Sequence, residues 1–344
     1  MPVAPRARPE DHFTPAQWQR LSERSRWRGL WLVAHCWGVI GLAMLAAARW
    51  PWLTPVAVAV VGTRQLGLFI LMHDAAHGLL HPNRRVNDWV GHWLCSSSLR
   101  DYRPYHLQHH RYVQQPEDPD LVLSAPFPIS RASLRRKLWR DLSGQTFYKQ
   151  RVQPALARWR AARAAGTGRV ARPEVLDGQV AGAATGRPAG AAAAAGHGAP
   201  GSSPFARDAQ EVARDRRFWL GNLTGFLVFA AAGQAWVWLA LWALPMVCWL
   251  PMVTRIRNIA EHALVGTGQA DPLRQARTTH AGWLARAFLA PYWVNFHNEH
   301  HLFTNLPCWQ LPQAHALLRA SGTTARMEVQ PGYRRVLQLA TAAG

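Results

Sequence analysis

Residues 30–77 read LWLVAHCWGVIGLAMLAAARWPWLTPVAVAVVGTRQLGLFILMHDAAH, and their pattern decides the fold. Leu30–Ala48 is apolar apart from His35, and Trp52–Met72 is apolar apart from Arg64 and Gln65. Each run approaches the roughly 20 residues that cross a bilayer as a helix. The short link Arg49-Trp50-Pro51 predicts that the two form an antiparallel hairpin. Further along, Phe218–Val253 is a second apolar block, interrupted at Gly233-Gln234. It is too long for one span and long enough for two. The expected spans are therefore about 30–48, 52–72, 218–233 and 235–253. The expected fold is an all-α integral membrane protein, with four transmembrane helices in two hairpins and a cytoplasmic helical cap.

Charge sets the orientation. Arg6, Arg8, Arg20, Arg24, Arg26 and Arg28 precede the first run; Arg84, Arg85, Arg100, Arg103 and Arg111 follow the second; Arg255 and Arg257 follow the fourth. The two outer turns hold only Arg49 and no charge, respectively. The positive-inside rule then puts both termini and the long middle segment in the cytoplasm, as in a bacterial inner-membrane protein. Composition agrees: of 344 residues 49% are hydrophobic and only 17% charged, which excludes a disordered chain and argues against an ordinary soluble domain. Eighteen Trp suit membrane interfaces. The mean hydropathy of −0.14 averages these runs with an Arg-rich remainder. The net charge of +20 is read as orientation bias, and no nucleic-acid partner is expected.

The expected organisation is a cytoplasmic segment 1–28 without a signal peptide, a membrane domain 29–320 and a cytoplasmic tail 321–344. A flexible Ala/Gly-rich insert spans about 161–203. Asp88–Leu99 and Trp283–Phe296, too short to span, are expected at the interface or re-entering it.

Histidine supplies the chemistry. His73 and His77 form H-x-x-x-H at the end of the second run, while His106, His109 and His110, and again His297, His300 and His301, form H-x-x-H-H. On a helix, positions i, i+3 and i+4 share a face, so each cluster can aim its imidazoles at one point. With two crossings in Phe218–Val253, all three clusters fall on the same side of the membrane. Eight imidazoles exceed the ligand number of one zinc and suit two metals, and ligand type alone leaves iron, copper and zinc open. The H-E-x-x-H pattern of zinc proteases is absent. Iron is favoured by location, because a two-metal site beside apolar helices is placed to attack unactivated C–H bonds of a lipid chain.

The boxes His73-Asp-Ala-Ala-His77, His106-Leu-Gln-His109-His110 and His297-Asn-Glu-His300-His301, ordered around two hairpins, resemble those of the membrane fatty acid desaturase superfamily over roughly residues 50–320. The resemblance implies two Fe ions, O2 as co-substrate, a lipid acyl substrate (acyl-lipid or acyl-CoA) and C=C bond formation. It also implies a ninth ligand: Arg257-Asn258-Ile-Ala-Glu261-His262 matches a family pattern that makes His262 a ligand and has Asn258 reach the second metal through a water. The metal set implied is thus His73, His77, His106, His109, His110, His262, His297, His300 and His301, with no catalytic side chain beyond the metal centre.

Asp74, Glu261 and Glu299 are candidates to accept the free N–H of liganding imidazoles, with pairing to nearby Arg as the alternative. Glu117-Asp118-Pro119-Asp120 reads as a structural turn pairing with Arg103 or Arg111. His81 is a minor candidate to swing into the site; His12, His35, His92, His197, His280 and His315 match no box. Trp89, Trp93, Tyr292 and Trp293 are expected to line an apolar substrate tunnel. No His-Pro-Gly-Gly signature of a fused cytochrome b5 and no Cys cluster for an iron–sulfur centre occur. Electrons are therefore expected from a separate soluble donor of ferredoxin or cytochrome b5 type, docking on the Arg-rich face. The alternatives are a hydroxylase or ketolase of lipids, alkanes or carotenoids with the same site, and more distantly a membrane zinc hydrolase. A non-enzymatic transporter is disfavoured, since transporters bind near the bilayer midplane.

Overall fold

The computed structural model describes residues 4–95, 99–124, 126–166, 204–266 and 271–341, with 164–166 and 204–215 given by backbone alone. From residue 167 onward the expected Ala/Gly-rich insert lies outside the described residues, as does His197.

The first hairpin is α1 (Arg28–Arg49) and α2 (Thr54–His77), joined by a turn of 3-10 helix at Pro51–Leu53. Helix α2 extends past the apolar run, so His73 and His77 stand in its last two turns before Gly78 ends it at φ 76°. Three helical stretches among the described residues are long and apolar enough to cross a membrane: Arg28–Arg49, Pro51–His77 and Ala235–His262. The most apolar window of the second is 72% buried, against 28% and 22% for the others, so α2 is the central helix on which the rest pack.

Packing between apolar helices in lipid depends on close approach and on satisfied polar groups. A Cβ at Gly62 would lie 2.7 Å from the Trp249 side chain, and one at Gly67 2.7 Å from the Tyr292 ring. The polar residues interrupting α2 bond within the protein. Arg64 donates to the carbonyls of Arg286 and Ala287, and Gln65 to that of Trp242. Trp249 donates its indole N–H to the Thr63 hydroxyl at 3.0 Å.

The second apolar block begins in α5 (Pro204–Ala231), which follows α3 (Leu99–Tyr112) and α4 (Arg131–Leu142). After the turn at Gly233, a helical run continues from Ala235 through a π segment at Leu239–Ala243 into α6 (Trp249–His262). The Trp242 indole donates to Asn222 at 3.0 Å, and Gly225 abuts the Trp238 ring, so this run returns along α5. It goes on well beyond the apolar block and carries Asn258 and His262 in its last two turns.

The cap packs over the box-bearing ends of α2 and α6. It comprises α3, the short helix α7 (His297–Leu302), α8 (Leu311–Ala320) and α9 (Tyr333–Ala340). Strand β1 (Arg277–Thr279) pairs in parallel with β2 (Glu328–Gln330), and Thr278 bridges to Phe296, which fixes the start of α7. Both terminal segments join the cap: Phe13 and Leu21 are buried, the Ala4 N–H donates to the Arg111 carbonyl, and the Ile129 N–H to the Ala340 carbonyl. Trp89, Trp93, Trp283 and Leu284 are exposed on the short segments for which an interfacial position is expected.

Candidate metal centre

Four elements bring the histidines together. The end of α2 supplies His73 and His77; one face of α3 supplies His106, His109 and His110; the end of α6 supplies His262; and α7 supplies His297, His300 and His301. They sort into two groups, in each of which one nitrogen per ring lies within 4.8 Å of the others. The first is His73, His77, His106, His110 and His300; the second is His109, His262, His297 and His301. His262, which only the family resemblance singled out, stands inside the second group.

The Nε2 atoms converge. In the first group the Nε2 atoms of His77 and His106 are 2.8 Å apart, those of His110 and His106 2.9 Å, and those of His300 and His110 3.0 Å. In the second the spacings are 2.8 Å for His297 and His262, 3.0 Å for His301 and His297, and 3.3 Å for His109 and His301. Two imidazole nitrogens bound at right angles at about 2.1 Å from one metal would stand about 3 Å apart. Shared protons cannot account for all these contacts, because His106 Nε2 faces two other Nε2 atoms and a neutral ring offers one proton. Both nitrogens of the buried His73 lack a hydrogen-bond partner among the described residues. The donor set therefore fits a metal ion in each group.

Burial keeps most of these rings neutral. His106, His110, His297, His300 and His301 have pKa values well below the ordinary one, first because burial penalises the charged form and then because other cations and imidazoles crowd them. A neutral imidazole is the form that ligates. His109 differs. Burial is its largest single influence and lowers its pKa, but the combined effect of Asp118, Asp120 and Glu261 raises it. Asp118 Oδ1 accepts from His109 Nδ1 at 2.7 Å, which leaves Nε2 free to face the second group.

The acidic neighbours depart from expectation. The carboxylate that grips a box imidazole is Asp118, in the turn expected to be merely structural. Asp118 also accepts from the backbone N–H groups of Gln114 and Asp120. Arg103 instead pairs with Asp88 at 2.5 Å and caps the carbonyls of Ala75 and Ala76. Glu299 bonds His315 Nδ1 at 2.6 Å and the Thr278 hydroxyl, because it projects from the opposite face of α7 to the box histidines. Asp74 accepts from the Cys308 N–H at 2.9 Å and lies 3.5 Å from His73 Nδ1. Glu261 is held by Arg257 at 2.6 Å, the Arg pairing left open by the sequence, and lies 3.5 Å from His297 Nε2. Sequence reasoning missed Asp118 and His315; nine-residue spacing from His109 within an acidic turn was the one signal for Asp118.

The remaining described histidines stay outside the two groups. His81 Nδ1 accepts from the Asn83 N–H beyond the end of α2. His35 bonds the Tyr292 hydroxyl at 3.1 Å, His12 packs against Phe303, and His280 packs against His315.

Beside the first group runs a cavity of about 1170 Å³, walled by Leu66, Phe69, Met72, Trp238, Trp242 and Leu250 and bordered by His73 and Asn258. Asn258 also lines a smaller cavity, of about 150 Å³, together with His106, His109, His262 and His297. Of the four aromatic residues expected in a tunnel, Trp93 lines the large cavity. Trp89 is exposed, and Tyr292 is turned toward His35 and Arg64 from a left-handed backbone position at φ 53°. Trp293 follows it at φ 58° and does not line the cavity.

Helices long and apolar enough to span a membrane end in a largely buried cluster of nine imidazoles beside a mainly apolar cavity, an arrangement that fits a membrane-associated protein able to hold metal. The profile of the family described as fatty acid desaturase matches residues 49–331. The chain belongs to that family. Among relatives, the sn-1 oleoyl-lipid 12-desaturase of Arthrospira platensis is 37% identical over 83 residues, 23% of this chain and 24% of that protein. The dihydrorhizobitoxine desaturase of Bradyrhizobium elkanii is 24% identical over 322 residues, 88% of this chain and 76% of that protein. The β-carotene ketolase of Paracoccus sp. (strain PC1) is 36% identical over 101 residues, 28% of this chain and 40% of that protein. The first and third matches thus cover well under half of those relatives' own length.

Proposed function

We propose that the nine histidines hold two iron ions, with Asn258 reaching the second through a water, and that the enzyme desaturates lipid acyl chains carried as acyl-lipid or acyl-CoA. The observation that carries this reading is the large, mainly apolar cavity that opens onto His73 of the first imidazole group and onto Asn258. In the reaction, two hydrogens leave neighbouring carbons so that –CH2–CH2– becomes –CH=CH–. One O2 is reduced to two waters, with two electrons and two protons drawn from outside the chain. The bound irons supply O2 activation and C–H cleavage.

The chain's own residues hold and shield. Asp118 fixes the proton of His109 on Nδ1 and leaves Nε2 for the metal. Leu66, Phe69, Met72 and Leu250 give the acyl chain an apolar, water-excluding bed beside His73. The electron donor is a separate carrier of ferredoxin or cytochrome b5 type. We also place four spans in two hairpins, with α5 supplying the third and both termini and the boxes cytoplasmic, in a bacterial inner membrane. The arginine asymmetry and the return of Ala235–His262 along α5 support this arrangement.

A second reading, hydroxylation or keto-group formation on a lipid, alkane or carotenoid, draws support from the match to the β-carotene ketolase. Lipid mass spectrometry on cells expressing the wild type beside His300→Ala, with both candidate donors co-expressed, separates the two. A product about two mass units lighter, made only by the wild type, establishes desaturation; one about sixteen units heavier moves the assignment to oxygen insertion. An unchanged lipid profile with both donors present refutes the proposal.

A further inference from the structure

Helices α2 and α6 both end inside the protein, and both carry metal-group histidines in their last turns. An α-helix leaves its last four carbonyls without partners of its own, and buried carbonyls need donors from elsewhere. At the end of α2 the residues before His77, Ala75 and Ala76, are buried. At the end of α6 the residues before His262, Ile259, Ala260 and Glu261, are buried as well. Beyond His262 the chain leaves the helix through Ala263 and turns at Leu264, φ 62°. Each end therefore holds its histidines only as firmly as its last carbonyls are bound.

An arginine from another element meets each end. Arg103 of α3 donates from Nε to the Ala76 carbonyl and from Nη2 to the Ala75 carbonyl, both at 3.0 Å. Asp88 holds the same guanidinium, and Asn87 adds a further donor to the Ala75 carbonyl at 2.9 Å. Arg277 of β1 reaches the end of α6, where its Nη1 lies 3.3 Å from the Ile259 carbonyl oxygen and 3.5 Å from that of Ala260. Arg277 is buried, and its Nε has no hydrogen-bond partner among the described residues. It stands opposite Glu328 in the two-stranded sheet, yet Glu328 pairs with Arg274 at 3.1 Å. The buried cation is thus given to the negative end of the α6 dipole. The Gln114 side-chain amide completes this end by donating to the His262 carbonyl at 3.2 Å.

We propose that Arg103 and Arg277 are positioning residues, each locking one ligand-bearing helix end, so that Arg103 governs retention of the metal in the first group and Arg277 that in the second. The proposal rests on the two-iron reading of the histidines and adds that the two sites are held independently. The assignment follows the helices: the end of α2 carries His73 and His77 of the first group, and the end of α6 carries His262 of the second. Both arginines act through backbone, since the donors described go to carbonyls and to Asp88. A planar guanidinium can serve two neighbouring acceptors in a fixed geometry, which a lysine ammonium does not reproduce. A metal site is only as tight as the shell that orients its ligands.

The test is dialysis of the purified iron-loaded enzyme against graded chelator, read as irons retained per chain. Arg103→Met and Arg277→Met should each release one iron at about tenfold lower chelator than the wild type needs, and the other as in the wild type. Because the two act on different irons, the double variant should release both early. In a His300→Ala background, which keeps the second group, only Arg277→Met should ease release of the remaining iron. If a Met variant misfolds, Arg103→Lys or Arg277→Lys, which keeps the charge without the fork, should show the same selectivity to a smaller degree. A merely structural role would loosen both irons together, and that result in either single variant overturns the proposal. So do release at wild-type chelator levels from folded variants and a double variant that releases only one iron early. Those failures leave the two-iron reading standing, whereas a wild type with fewer than two metals overturns that reading and this proposal with it.

Discussion

Asp118→Asn is the most informative single substitution near the metal centre. Asp118 Oδ1 accepts from His109 Nδ1 at 2.7 Å and from the Asp120 N–H at 2.9 Å, while Oδ2 accepts from the Gln114 N–H at 2.9 Å. Asparagine keeps the shape but has a single acceptor oxygen. With that oxygen toward His109, its NH2 opposes the Gln114 N–H, donor against donor. With the amide reversed, the NH2 faces His109 Nδ1, which can accept only if the ring proton moves to Nε2, the atom that faces the second group. Either way His109 is a poorer ligand. Loss of such a partner costs about 10- to 100-fold in metal affinity, or about 1.4 to 2.8 kcal/mol. No ring of the first group bonds Asp118. Under the proposed ligand set, dialysis against graded chelator should release one iron from the variant at about 10- to 100-fold lower chelator than the wild type needs, and the other as in the wild type. Both irons leaving at wild-type chelator levels would refute the reasoning.

Three further outcomes concern stability. His315→Ala leaves the fully buried Glu299 carboxylate without its imidazole, which costs about 3 to 5 kcal/mol; thermal melting in detergent should fall by several degrees, and an unchanged melt contradicts the role given to this pair. The metal-free protein should lose stability on acidification. His106, His110, His297, His300 and His301 have folded pKa values depressed below the ordinary value of about 6.5, so below that pH the unfolded chain takes up protons that the folded one does not. His109, Glu261 and Asp74 are shifted upward and oppose this in part, favouring the folded state on acidification. Melting midpoints should be level above about pH 7 and fall steeply below about pH 6, and a flat profile from pH 7 to 5 contradicts it. Finally, Gly29→Ala sets a Cβ 2.1 Å from the Leu80 carbonyl oxygen, whereas Gly38→Ala meets nothing within 4 Å. The first should cost about 1 to 3 kcal/mol and the second nothing measurable, and equal melting midpoints would show that the contact between α1 and the turn after α2 is not tight.

Much of this was legible because short-range spacing governs it. Apolar length gave α1 and α2, and the i, i+3, i+4 rule put His106, His109 and His110 on one face and His297, His300 and His301 on another. His262 stands alone in sequence, so only the resemblance to a family pattern pointed to it. What escaped depended on the chain's turning back. Gln114 at φ 59° starts the turn that returns Asp118 to His109, and no periodicity announces such a turn. Glu299 looks like a neighbour of its box in sequence, yet its partner, His315, lies on α8. Trp89 and Trp93 look equivalent as aromatic residues four apart, but the helix becomes a π segment at Gly91–Cys95, and of the two only Trp93 lines the cavity.

The central claim is that nine imidazoles hold two irons, and metal content per chain tests it most directly. The protein purified from iron-replete cells should carry two irons, with His300→Ala deficient in the first group and His301→Ala in the second. One zinc per chain in the wild type, unaffected by either substitution, would contradict the account.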